Sequence, residues 1–348
     1  MMNFNVGYQL REDDRFLETL VRYKDRVSEV YFSRGSMPNG RHSALRHAVY
    51  APWEAAAKTD GELAYLASEG FQFNLLLNGA CYGGESLSKK FFTEVLNTVD
   101  EVGEKFGLTS VTTTSPNLAH LVKVNFPDLE IRASVNMGVG TKNAVDFLSE
   151  DFDGFYLARE LNRDLPALQA LSDYVRSLGK KRYILLNSGC LNYCPARSYH
   201  DNLVAHEEEI ASRDNAVVFR GLCADALSKP ENQKRVLSLL NLVRPEDLAL
   251  YEGLADGYKL ATRVSPSPET ILSAYAEGHY SGNLLDLTEP DHAGHFYPVV
   301  IENSRLPEGF GKQVSHCSKN CASCGYCVRA YEEAAVKLND LFTDENRC

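Results

Sequence analysis

The sequence predicts a (β/α)8 TIM-like barrel with an insertion near its seventh strand and a cysteine-rich C-terminal tail. Three observations predict it. Short β-like runs alternate with amphipathic helical patterns, eight such runs precede residue 280, and 348 residues suit one large barrel. The expected organisation is a barrel over 1–280, interrupted at about 190–245, followed by an extension over 281–348.

The expected strands are Phe4–Gln9, Ser28–Ser33, Phe73–Asn78, Ser110–Ser115, Glu130–Asn136, Gly154–Arg159, Arg182–Ser188 and Gly257–Val264. Between them, the helix from about Leu87 to Phe106 places Phe91, Phe92, Val95, Leu96, Val99, Val102 and Phe106 on one face and stops at Gly107. Ser115-Pro116 and Ser267-Pro268 each put a capping hydroxyl before a proline at the first helical position, and Asp164 is placed to cap a helix ending at Gly179. The interval from Ser188 to Gly257 breaks the rhythm with helical stretches and an extra strand-like run, Ala216–Leu222. After a last barrel helix at about Glu269–Gly278, residues 281–316 are rich in Pro, Gly, His and Asp and read as an ordered tail over the barrel.

Composition narrows the class. Apolar residues make up 44% and charged residues 24%, the balance of a globular protein. No apolar run reaches the roughly 18 residues of a membrane span, and the N-terminus runs into a strand without a signal-peptide pattern, so a cytoplasmic protein is expected. A net charge of −11 argues against nucleic acid and leaves room for a local basic pocket.

Nine cysteines in a chain without a secretory pattern point to metal rather than disulfides. Cys317, Cys321, Cys324 and Cys327 lie within 11 residues, without the long loop by which a zinc ribbon closes its tetrahedron. Such spacing suits an iron–sulfur cubane, with zinc or plain thiols as the alternatives. Cys81, Cys190, Cys194 and Cys223 are scattered, yet each is expected just beyond a strand, where barrel active sites are built. A shared metal or cluster site is one reading, ordinary buried cysteines the other.

The segments NLLLNGACYGG (74–84), NSGCLNYCPARSYHDNLVAH (187–206), FRGLC (219–223), YSGNLLDL (280–287) and CSKNCASCGYC (317–327) resemble the collagenase-like U-32 peptidase family. The resemblance also takes in RPEDLALYEGL and ENSRLPEGF and runs over nearly the whole chain. It implies a barrel and, from members that act in oxygen-independent ubiquinone and RNA hydroxylation, a 4Fe-4S cluster on Cys81, Cys190, Cys194 and Cys223. The spacing differs from that of the better-known branches.

In EIRASVN, alternation turns Ile131, Ala133 and Val135 outward and Arg132, Ser134 and Asn136 into the barrel. Arg34, Arg159 and Arg263 fall at strand ends, Arg197 follows Cys194, and Asn78, Ser115 and Asn187 add hydrogen-bonding groups. Together they predict a rim for a small anion, because arginine presents a planar fork to carboxylate or phosphate. The competing reading pairs each arginine with an internal carboxylate. His200 is the candidate acid–base partner beside Arg197, against a reading as a surface histidine, while His206 should lie on another face. His42 and His47 occupy a loop that could cover the rim.

No HExxH, GxSxG or coherent nucleophile–histidine arrangement is visible, which makes proteolysis the weaker function. The leading expectation is a cluster-dependent enzyme acting on a small anionic or ring-bearing substrate by oxygen-independent hydroxylation or related redox chemistry. An iron–sulfur carrier or accessory subunit of a hetero-oligomer is the alternative, and the electron donor and oligomeric state stay open.

Overall fold

A computed structural model describes residues 2–35, 37–40, 49–217 and 221–338. Eight parallel strands close in sequence order: β1 (Phe4–Gly7), β2 (Val27–Phe32), β3 (Phe73–Leu77), β4 (Leu108–Thr113), β5 (Glu130–Ala133), β6 (Gly154–Tyr156), β7 (Lys181–Leu185) and β8 (Gly257–Leu260). The outer helices α1 (Arg15–Arg22), α2 (Pro52–Ser68), α3 (Lys89–Phe106), α4 (Pro116–Asn125), α5 (Lys142–Leu148) and α6 (Leu165–Ser177) follow the first six strands. The predicted barrel is therefore present, each predicted strand overlapping an observed one.

Local chemistry explains the boundaries. Ser88, Ser115 and Asp164 accept backbone N–H groups at the starts of α3, α4 and α6, satisfying donors that have no helical partner. Gly107, at φ 77°, ends α3 in the left-handed conformation that a β-carbon disfavours. Strand β5 is shorter than expected, because the Ser134 hydroxyl accepts the Asn136 N–H at 3.3 Å and turns the chain into a 3-10 segment, Val135–Met137. Alternation stops there, so Val135 joins Tyr156, Tyr183, Leu185 and Ala261 in an apolar cluster instead of facing outward. Ser267 forms no side-chain cap.

The β7–β8 interval holds α7 (Arg197–Ala205), α8 (Glu207–Ala211), α9 (Leu222–Leu227), α10 (Pro230–Gln233) and α11 (Val236–Leu239). The expected extra strand is partly outside the described residues, and its last residue, Leu222, opens α9. A 3-10 segment, Pro245–Tyr251, sends Leu248 and Tyr251 into the main core. After β8 come α12 (Pro268–Glu277), β9 (Val299–Ile301), α13 (Phe310–Ser315), α14 (Cys321–Cys324), α15 (Tyr326–Ala334) and β10 (Ala335–Lys337). Leu227, Val236, Leu237 and Leu240 of the insertion form a second core with Leu284, Phe296, Ile301, Phe310 and Tyr331. Burying such side chains is worth roughly 1.5–3 kcal/mol each, so insertion and tail stabilise one another.

The lumen is polar. Ser110 receives a hydrogen bond from Asn74 and donates one to Glu29, and Arg132 donates to Glu29 at 2.8 Å and to Glu130 at 2.9 Å. The Arg132 guanidinium also stacks on Tyr183, and the Lys259 ammonium lies 3.9 Å from the Tyr31 ring centre. Glu130 and Lys181, which open β5 and β7, place this network toward the N-terminal ends of the strands. Arg132 does point inward as alternation predicts, but as the counter-ion of two carboxylates rather than as a rim group.

Candidate functional site

At the opposite ends of the strands, β7 runs on into the Ser188–Pro195 loop. Asn187 fixes its direction: its amide donates to the Ala261 and Leu287 carbonyls and accepts the Ala261 N–H at 2.7 Å. The tail then runs beside the loop, with Gly189 N–H donating to the Glu289 carbonyl at 2.9 Å. A β-carbon on Gly189 would stand 2.1 Å from the Pro290 oxygen, so this approach requires glycine.

Cys190 follows. Arg159, at the start of a 3-10 segment (Arg159–Arg163) after β6, donates Nη1 to the Cys190 thiol at 2.9 Å and Nη2 to Asn136 at 2.8 Å. Asn241 donates to the Cys190 carbonyl, and His292 bonds the Gly189 carbonyl at 2.7 Å through Nε2. Several polar atoms in this shell are buried without a partner: Arg159 Nε, Ser188 Oγ, Asn192 Oδ1, Asn241 Oδ1 and His292 Nδ1. Such atoms are uncommon singly, and a concentration of them around one cysteine marks a place where a further polar group belongs.

Cys190 and Cys194 line a cavity of about 390 Å³ with Cys223, Arg197 and His200. Burial raises the Cys223 thiol pKa, and Cys190 and Cys194 raise it further. Arg197 is ion-paired with the buried Glu160, which gives it a fixed direction. Cys81 sits on the β3 loop, where the Gly83 N–H donates to its sulfur at 3.4 Å. That loop borders the end of α7: the His206 ring is 3.4 Å from where a Gly83 β-carbon would be. Cys223 is the second residue of α9, and the middle of the strand-like run expected before it lies outside the described residues.

Several expected ligand groups have structural partners. Arg34 is held between α2 and α3 by Asp60 and Glu101. Asn78 is buried, accepting the Gly40 N–H, and Asn187 is the clamp described above. Arg132 belongs to the lumen network. Arg263 stays near the top, 5.9 Å from the Tyr31 ring and donating to Asn39 at 3.4 Å. His42 and His47 lie outside the described residues. Sequence reasoning did not single out Glu160, Asn241 or His292, whose roles arise from long-range contacts that no local spacing records.

The tail cysteines form a second group. Cys317, Cys321, Cys324 and Cys327 line one cavity of about 410 Å³. Burial raises the Cys327 thiol pKa, opposed by Arg163, whose guanidinium donates to the sulfur at 3.9 Å. Zinc thiolates stand about 3.8 Å apart on a tetrahedron with 2.3 Å bonds. Among the described residues, no three His, Cys, Asp or Glu side chains are close enough to hold one metal ion. Neither group is thus a preformed single-ion site; what each offers is thiols converging on a cavity.

The geometry defines a (β/α)8 barrel protein with a cysteine-lined rim, bordered by its own tail. The chain is 28% identical to an uncharacterized protease of Methanocaldococcus jannaschii over 296 residues, 83% of this chain and 84% of that protein. It also resembles the structure of the U32 peptidase Mk0906, at TM-score 0.52 and 16% identity, over 74% of this chain and 92% of that one. No family model matches the chain. The resemblance to the U-32 peptidase family is borne out by these relatives. No helix among the described residues is long and apolar enough to cross a membrane.

Proposed function

We propose that the rim carries a 4Fe-4S cluster on Cys190, Cys194 and Cys223, with Cys81 as fourth ligand, and that the protein performs redox chemistry on a small anionic or ring-bearing substrate. Oxygen-independent hydroxylation is the specific reaction proposed. The observation that carries the reading is that three thiols, Cys190, Cys194 and Cys223, line one cavity together with Arg197 and His200; the unpartnered buried polar atoms around Cys190 lie outside that lining and add to it. When bound, a cluster supplies one-electron transfer. Arg159 would hold an anion beside Cys190 through its remaining N–H groups, and Arg197, fixed by Glu160, would orient it. His200, which lines the same cavity, would hold or release a proton at the substrate. We further propose a second cluster on the tail cysteines, with zinc as the alternative there.

The name of the archaeal relative favours a second reading, a peptidase. Metal and sulfide analysis of anaerobically purified protein, with an optical spectrum, separates the two. Iron with equivalent sulfide and broad visible absorption supports the cluster, and Cys190→Ala should remove the rim iron alone. Colourless protein lacking sulfide, with cleavage of a peptide panel that Cys190→Ala abolishes, would establish the peptidase instead.

A further inference from the structure

The two cysteine groups share a wall. In the loop after β7, Cys190, Leu191 and Cys194 line the rim cavity, whereas Asn192 and Tyr193 line the tail cavity. Neighbouring residues therefore face different sites, and consecutive Cα atoms are only about 3.8 Å apart. Tyr193 achieves this in a left-handed conformation, φ 52°, that a tyrosine seldom adopts. A second connection runs through the 3-10 segment Arg159–Arg163, whose first residue donates to Cys190 and whose last donates to Cys327. Four residues of such a helix span about 8 Å.

The tail site is also the more open. Cys321 and Cys324 are exposed, and Tyr193 beside them is 68% exposed. The charged side chains lining that cavity are Arg163, Arg235 and Lys319, with no carboxylate among them, in a chain of net charge −11. Lys319 is paired with Asp164 at the edge. Arg163 is turned inward onto the Leu237 carbonyl and Cys327, and Arg235 is exposed with no side-chain partner among the described residues. A positive, partly apolar surface on an acidic protein selects an acidic partner through complementary potential.

We infer that the tail is where electrons enter this protein: Arg235 docks an acidic one-electron carrier protein over Cys321 and Cys324, and the Cys190–Cys194 loop conducts to the rim. The inference rests on the cluster reading above. At each turn the reduced carrier loses one electron and the tail centre gains it, then the tail centre loses it and the rim centre gains it. No bond forms or breaks and no proton moves, so a two-electron reaction at the rim takes two dockings.

The test is stopped-flow reduction of the anaerobically purified protein by a reduced, acidic ferredoxin, with dithionite as a small reductant that needs no docking surface. The wild-type rate with ferredoxin should fall steeply with added salt, and Arg235→Glu should lower it at least tenfold at low salt, in line with steering effects of about 10–1000-fold. The dithionite rate and iron content should stay unchanged in that variant. Cys324→Ala should keep the rim iron yet lose fast reduction by ferredoxin. A ferredoxin rate indifferent to both salt and Arg235→Glu, with iron intact, would overturn the docking surface. Equally fast reduction of the rim in Cys324→Ala would overturn the relay. Protein without tail iron would instead sink the underlying cluster reading. The wild-type salt series decides the docking question even if a variant fails to fold.

Discussion

Arg159 donates a 2.9 Å hydrogen bond to the Cys190 sulfur while its Nε is buried with no partner. Arg159 is 2% exposed and touches a cysteine and an amide but no carboxylate, an arrangement shared with Arg163 at Cys327 and different from that of several other arginines. Arg34, Arg132, Arg182 and Arg197 all have acidic partners. The Arg159 charge therefore has no carboxylate partner beside Cys190 among the described residues.

Binding of small carboxylates should accordingly depend on Arg159. In calorimetric titrations with a panel of mono- and dicarboxylates, Arg159→Met should lose about 1.5–3 kcal/mol, the range for a charge-assisted hydrogen bond. Arg159→Lys should recover only part of it, since the fork is gone. Unchanged affinity in both variants would assign Arg159 to the thiol alone.

Gly189→Ala should disturb the rim and spare the tail. The new methyl meets the Pro290 backbone, which cannot swing aside as a flexible side chain could. The expected result is loss of rim iron with tail iron retained, read as the iron count relative to Cys190→Ala. Full iron content would show that the 289–290 segment can retreat without moving Cys190.

In the lumen, Arg132→Met strands Glu29, which has 3% side-chain exposure. Removing one partner of a buried pair costs about 3–5 kcal/mol, whereas Arg132→Met with Glu29→Gln should restore much of the stability. Urea unfolding measures both. A single-variant loss below about 1 kcal/mol would show that the lumen repacks or admits water.

Acid should weaken the barrel from the same quarter. Burial favours the neutral form of Glu130 and of Asp256, but Arg132 and Arg182 outweigh it and hold both carboxyls below their usual values. A carboxyl depressed in the folded state contributes stability above its unfolded pKa, about 4, and that stability is lost as pH falls through the folded value. Unfolding free energy should therefore drop below about pH 4, and Glu130→Gln with Asp256→Asn should flatten that slope. An equally steep slope in the double variant would place the acid sensitivity elsewhere.

The eight strands, the caps of Ser115 and Asp164 and the stop at Gly107 were legible in the sequence because each depends on side-chain period or on a residue within three positions. So was the tail's Cys317–Cys327 grouping, since a short run of chain keeps its thiols together whatever the rest does. The partners of the arginines were not legible. Alternation turned Arg132 inward, but only barrel closure brought Glu29, 103 residues away, to meet it, and only the packing of α2 against α3 gave Arg34 its carboxylates. The shared wall at Cys190–Cys194 likewise arose when insertion and tail built a second core beside the barrel. Local spacing determines which groups a segment can offer. Which charge each group faces depends on loop closures between distant residues, and there burial, not proximity in sequence, selects the pair.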